Sequence, residues 1–162
     1  MHTLHWIAVE AESLEEAESI VTSNLADSYG EGAQWWDWFD TDIGGRWSEN
    51  SKTTCLNNSD EYKETLERIK VNRKAEMKQL LENVNLDEFI SAVNQYEGDK
   101  AVIDYDLNTW RVRKMAELLG GDWHCDSHFY DMESWSSNLN YLDERVKTNP
   151  SNQYLVPIDF HF

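Results

Sequence analysis

Proline is scarce in this 162-residue chain, and so are cysteine, positive charge and long apolar runs. Two prolines and seven glycines leave no low-complexity tract and no long linker. The two cysteines, Cys55 and Cys125, stand far apart and in no metal-type spacing. They are expected as reduced thiols of a cytoplasmic protein. No apolar run is long enough for a transmembrane helix, so no membrane contact is expected. The opening "MHTLHWIAVEAESLEE" lacks the basic and apolar regions of a signal peptide, and none is expected. The templates G-x-S-x-G, G-x-G-x-x-G and the P-loop are all missing, which favours binding over catalysis.

Fourteen bases face 31 acids, for a formal charge of −17. A surface of that sign repels phosphate and anionic lipid, so direct nucleic acid binding is not expected. It favours basic partners and speeds their encounter. Acids crowd the first third of the chain. Half of the bases lie between Lys52 and Lys78.

The length suits one domain, 1–162. "LHWIAVEA" is rich in β-branched and aromatic residues and predicts a strand. Ser13 followed by Glu16 is a capping box, and the apolar spacing that follows predicts a helix as far as Gly30 or Gly32. A long helix and a short one, capped at Asn85, form a helical insertion over 59–98. "KAVIDYD" predicts a strand, and a helix follows from about Asn108 to Gly120. "DWHCDSHFYD" is extended, and "MESWSSNLNYLDERVKTNP" predicts a helix. "QYLVPIDFHF" predicts a last strand, with Pro157 pointing to an edge or a bulge. The expected class is α+β, with helices on one face of a small, mainly antiparallel sheet. A ferredoxin-like arrangement carrying the helical insertion is the expected topology.

What is abundant is tryptophan. Four of eight lie in "AQWWDWFDTDIGGRWSEN", residues 33–50. One loop cannot bury all of these rings without burying its own backbone, so some are expected to line a surface. Gly44 and Gly45 permit close approach, and Arg46 follows them. Trp and Arg dominate interface hot spots. The expected docking residues are Trp36, Trp38, Asp40, Asp42, Arg46 and Trp47. A second reading is a small nucleotide-binding protein or enzyme. Its pocket would be made by Gly44, Gly45 and Arg46 on one side and His124 and His128 on the other. A third is a homodimer joined through the Trp loop. His124, His128 and His161, with Cys125, Asp126, Asp131 and Asp159, could also converge if the last two strands pair, but no recognised ligand spacing is present, and no cofactor or metal is expected. His2 and His5 have no partner spacing.

"WWDWFDTDIGGRWS" resembles the W-D-W-[YW]-x-I-G-G-R-W-[ST] signature of a family of small uncharacterised proteins of bacteriophages, prophages and some actinobacteria. Further similar pieces follow in order: Val102, Asp104 and Asp106; Gly121, Trp123 and His124; Leu155, Val156, Asp159 and His161. The chain departs from the family at "WHCDSHFYDMESW", where a Gly-Met-Gly-Trp-Phe-Gly-like run is usual. The resemblance implies a viral setting and an accessory role in the infected host. The expected partner is then a host protein with a basic surface, a defence or nucleic-acid enzyme that the chain would bind and inhibit in the host cytoplasm.

Overall fold

The structure, a computed structural model, describes residues 1–28, 35–41, 43, 46–47, 52–56, 60–94, 107–124 and 127–162. The expected strand at 100–106 lies outside them. Two long strands form the centre: β1 (His2–Glu10) and β5 (Gln153–His161). They pair antiparallel along their full length, from His2 opposite His161 to Glu10 opposite Gln153. Short strands extend them. β2 (Trp38–Asp40) and β3 (Thr54–Cys55) both pair with the outer edge of β5, antiparallel. β4 (Phe129–Asp131) pairs parallel with the outer edge of β1. The α+β class holds. The strand order is β2-β5-β1-β4, and its parallel β1–β4 pair separates it from the wholly antiparallel ferredoxin-like order.

Helices cover both faces of the sheet rather than the one expected. On one face, Ile7 and Val9 meet Ala17, Val21 and Leu25 of α1 (Leu14–Ser28), with Trp36 and Phe160 in the same cluster. On the other, Trp6, Ala8 and Leu155 meet Tyr62, Leu66 and Ile69 of α2 (Asp60–Asn83) and Leu142 of α5 (Leu139–Thr148). This explains why β5 is buried at eight successive positions instead of alternate ones. α3 (Leu86–Asn94) and α4 (Leu107–Gly120) complete the element order. α1 starts as its capping box predicts: Glu16 N–H donates to Ser13 Oγ at 3.1 Å, and the Glu16 carboxylate accepts from Glu12 N–H at 2.7 Å.

Pro157 has a specific reason. Trp6 donates its N–H to the His128 carbonyl on the β4 side, at 3.1 Å. The opposed pair Trp6–Pro157 therefore makes no mutual ladder bonds, and Pro157 turns its backbone N and C=O toward the outer edge of β5. There β2 has ended opposite Asp159 and β3 has not begun until Leu155. The missing N–H falls in that gap, where none of the described strands asks for it.

The helix expected over 132–148 begins only at Leu139, with Asn138 as N-cap. Residues 131–138 form a turn, because Asp, Ser and Asn side chains there bond backbone groups and each other in competition with a helix. Asp131 anchors it. This carboxylate is fully buried and takes both Arg145 Nη2 at 2.6 Å and Nη1 at 2.9 Å, with Ser134 Oγ at 2.6 Å. Arg145 Nε continues to Gln153 on β5 at 2.8 Å. Removing one member of such a pair strands a buried charge. Asp131→Ala is expected to cost about 3–5 kcal/mol in denaturant unfolding. Lys147→Ala, which breaks an exposed pair with Glu144, is expected to cost less than about 1 kcal/mol.

Candidate functional site

The site lies where β1 begins and β5 ends. His2 and His161 are directly opposed across the ladder, and Trp38 is opposed to His161 on the other side. Directly opposed residues share a face. The three rings accordingly meet: Trp38 stacks on His161, centroids 5.1 Å apart and 9° between planes, and His2 sets its edge against both. The next opposed pair of β2 and β5 on the same face is Asp40–Asp159.

Each imidazole is held by a carboxylate. His2 Nδ1 donates to Asp159 Oδ2 at 3.0 Å, and His161 Nδ1 donates to Asp37 Oδ1 at 2.7 Å. An ionised carboxylate only accepts, so the shared proton sits on Nδ1 in both rings. The His161 hydrogen bond holds the Asp37 carboxyl below its usual range. Asp159 is buried, and Arg46 Nε lies 3.7 Å from its Oδ2. Its Oδ1 is buried without a hydrogen-bond partner among the described residues. The result is an aromatic platform fixed by two His–Asp pairs, with Asp37, Asp40 and Arg46 exposed around it.

The expected docking residues separate. Trp38 is 41% exposed and Arg46 is exposed as well. Trp47 is half-buried. Trp36 corrects the expectation, because it is a core residue at 5% exposure. It packs against Trp123 and Phe160 at 4.8 and 4.9 Å between centroids. Trp35 joins that cluster, edge-on to Trp36 at 5.4 Å and against His5 at 4.8 Å. Asp42, Gly44 and Gly45 lie outside the described residues. His2 and Asp37 were not foreseen as part of any site. Their partners are more than a hundred residues away in the chain, and no local spacing marks them.

His124 and His128 belong to another cluster, around His5. The His5 and His128 rings stack at 5.6 Å, and His5 Nε2 donates to the His124 carbonyl at 3.1 Å. His128 Nε2 lies 3.9 Å from Glu76 of α2, and its Nδ1 donates to the Leu4 carbonyl at 3.3 Å. Arg46 instead meets Asp159, so no pocket common to Arg46, His124 and His128 is formed by the described residues. A cleft of about 750 Å³ does open elsewhere. Its walls are α1, at Glu18 and Ser19, and Thr41, Lys52 and Thr53. Its floor is Val156 and Pro157, at the gap between β2 and β3. Among the described residues, no three His, Cys, Asp or Glu side chains are grouped to hold a metal ion. Among the same residues, no helix is long and apolar enough to cross a membrane. No family model matches the chain, and neither a curated protein nor a solved structure matches it.

The His5 cluster has a pH signature. Burial, with His128 adding repulsion, lowers His5 from 6.5 to about 3. The unfolded chain takes up that proton near 6.5 and the folded one does not, so this stability is full above pH 6.5 and is lost as pH falls toward 3. Glu76 acts in the opposite sense. Burial raises it from 4.5 to about 6, so its contribution is full below pH 4.5 and is lost as pH rises through 6. His5→Gln keeps a donor for the His124 carbonyl but cannot titrate. Between pH 7 and pH 4.5 the wild type is expected to lose roughly 2–3 kcal/mol relative to this variant. Urea unfolding at the two pH values reads the difference, and an unchanged gap would refute it.

Proposed function

We propose that the chain works by binding. It docks a protein partner with a basic and partly apolar surface on the Trp38 platform, and it acts on that partner by occlusion rather than by chemistry. The observation that carries the reading is Trp38 itself. Of the four neighbouring tryptophans it is the one held in solvent, stacked on His161, while Trp36 is sealed in the core. A large, rigid indole loses little freedom on binding and supplies affinity. Asp37 and Asp40 beside it supply negative potential, and the net charge of −17 steers cationic surfaces toward it.

The resemblance of 35–48 to bacteriophage proteins supports a partner inside an infected host, in its cytoplasm. An enzyme that grips nucleic acid through a basic cleft, or a defence protein, offers the matching chemistry. Inhibition follows where the occupied surface is the partner's own working cleft. A homodimer through the same platform is the competing use of these residues, and light scattering of the purified chain separates the two.

The test pairs wild type with Trp38→Ala/Arg46→Ala in a pull-down from host lysate. The double variant is expected to keep its circular dichroism spectrum and to lose the wild type's specific partner. Recovery of that partner by both proteins at equal yield would reduce the platform to a structural detail.

A further inference from the structure

At the far end of β1 a second tryptophan stands in solvent, and the chain is bent into an unfavourable conformation beneath it. Trp135 is 77% exposed. A single exposed apolar residue is ordinary. This one has φ of 54°, in the left-handed region that a bulky side chain rarely adopts. Such a conformation persists only where its surroundings over-determine it, and it concentrates at recognition and catalytic sites.

The surroundings here are unusually well fixed. Asp131 and Ser136 bond backbone to backbone in both directions, at 2.8 and 3.2 Å. The Asp131–Arg145 pair ties the start of the turn to α5. Ser136 Oγ and Ser137 N–H both donate to the Gly121 carbonyl, at 3.0 and 2.7 Å. Gly121 is at φ of 83°, and a Cβ there would sit 2.7 Å from Ser136 Oγ. Arg73 of α2 donates to the Ser137 and Leu118 carbonyls. None of these contacts uses the Trp135 ring. The turn holds the ring out, and the ring does not hold the turn.

The local sequence is acidic, and the two arginines that reach the turn are already engaged, Arg145 by Asp131 and Arg73 by the Ser137 and Leu118 carbonyls. From 115 to 144 the chain carries acids but no lysine or arginine. Glu133, in the same turn, is exposed, and its carboxylate lies over the β1 end, accepting from Glu10 N–H at 3.4 Å. An exposed indole two residues along a fixed turn from an exposed carboxylate suits a guanidinium, which stacks on a ring and donates to a carboxylate from its edge. Lysine offers a compact, strongly hydrated charge and stacks less well.

We propose that Trp135 and Glu133 receive an arginine side chain of a protein partner, at a surface separate from the Trp38 platform. The test titrates labelled oligo-arginine and oligo-lysine peptides of equal length at physiological salt, read by fluorescence anisotropy. Wild type is expected to bind oligo-arginine severalfold more tightly than oligo-lysine. Trp135→Gly, which leaves the net charge intact, is expected to weaken oligo-arginine roughly tenfold and to erase the preference. Glycine also relieves the positive φ, so the same variant is expected to melt at or above the wild-type temperature. Trp38→Ala is expected to leave the oligo-arginine affinity within twofold, so the two surfaces succeed or fail separately. Equal binding of oligo-arginine by wild type and Trp135→Gly overturns the proposal. So does a Trp135→Gly variant that melts several degrees lower, and so does loss of the preference in Trp38→Ala.

Discussion

The ladder between β1 and β5 is the constraint from which the remaining features follow. Both strands are nine residues long and pair from end to end. Both are covered on two faces, so a shift of register by one residue would exchange the two cores completely. Ile158 and Phe160 belong to the α1 side and Leu155 to the α2 side. Each such side chain contributes about 1.5–3 kcal/mol when fully buried. The register locked in this way opposes His2 to His161 and Leu4 to Asp159, and the Trp38 platform is a consequence of those pairings rather than of any local motif.

Local signals were legible in the sequence and distant ones were not. The Ser13–Glu16 box fixes the start of α1 within one turn, and the apolar content of "LHWIAV" and "YLVPIDF" marks the two long strands. What escaped was the second covering layer. A doubly buried strand reads as a continuous apolar run, and nothing within the run says that α2 lies on it. The stretch 132–138 failed for a different reason. Its apolar spacing continues that of α5, but Asp131 is taken by Arg145, Ser134 by Asp131 and Ser136 by the Gly121 carbonyl, and Asn138 caps α5 instead of entering a longer helix. In the candidate site, Trp38 and Arg46 were visible as residue types. Asp159 was visible as a carboxylate near His161, but its pairing with His2, and that of Asp37 with His161, were not, because those partners are reached only through the fold.

Polar groups in this molecule divide by how they are satisfied. Asp131 is buried with a bidentate arginine and a serine hydroxyl, and it fixes a turn. Asp159 is nearly as buried, yet one of its oxygens has no partner among the described residues and the other is shared by His2 and Arg46. A fully satisfied network specifies one arrangement, whereas a partly satisfied one retains a preference for further donors. The first kind underlies the Trp135 turn and the second underlies the Trp38 platform. Rigidity comes from hydrogen bonds alone at one end of the sheet and from His–Asp hydrogen bonds together with ring stacking at the other.

The two exposed indoles stand at opposite ends of the ladder, Trp38 beside His161 and Trp135 beyond Asp131. At about 3.3 Å per residue, nine residues separate those ends by roughly 26 Å along the strand. A standard interface covers about 800 Å² on each partner, a patch of comparable width, so one flat partner would have to span the whole long axis to touch both. Two smaller contacts meet the geometry with less surface. Exposed carboxylates stand at both ends, Asp37 and Asp40 at one and Glu133 at the other, so both proposed contacts favour cationic groups. A long cationic surface that wraps the sheet edge, or two cationic segments bound independently, satisfies the charge and the distance together. The net acidity thus gives both proposed surfaces the same preference, and the ladder sets how far apart they stand.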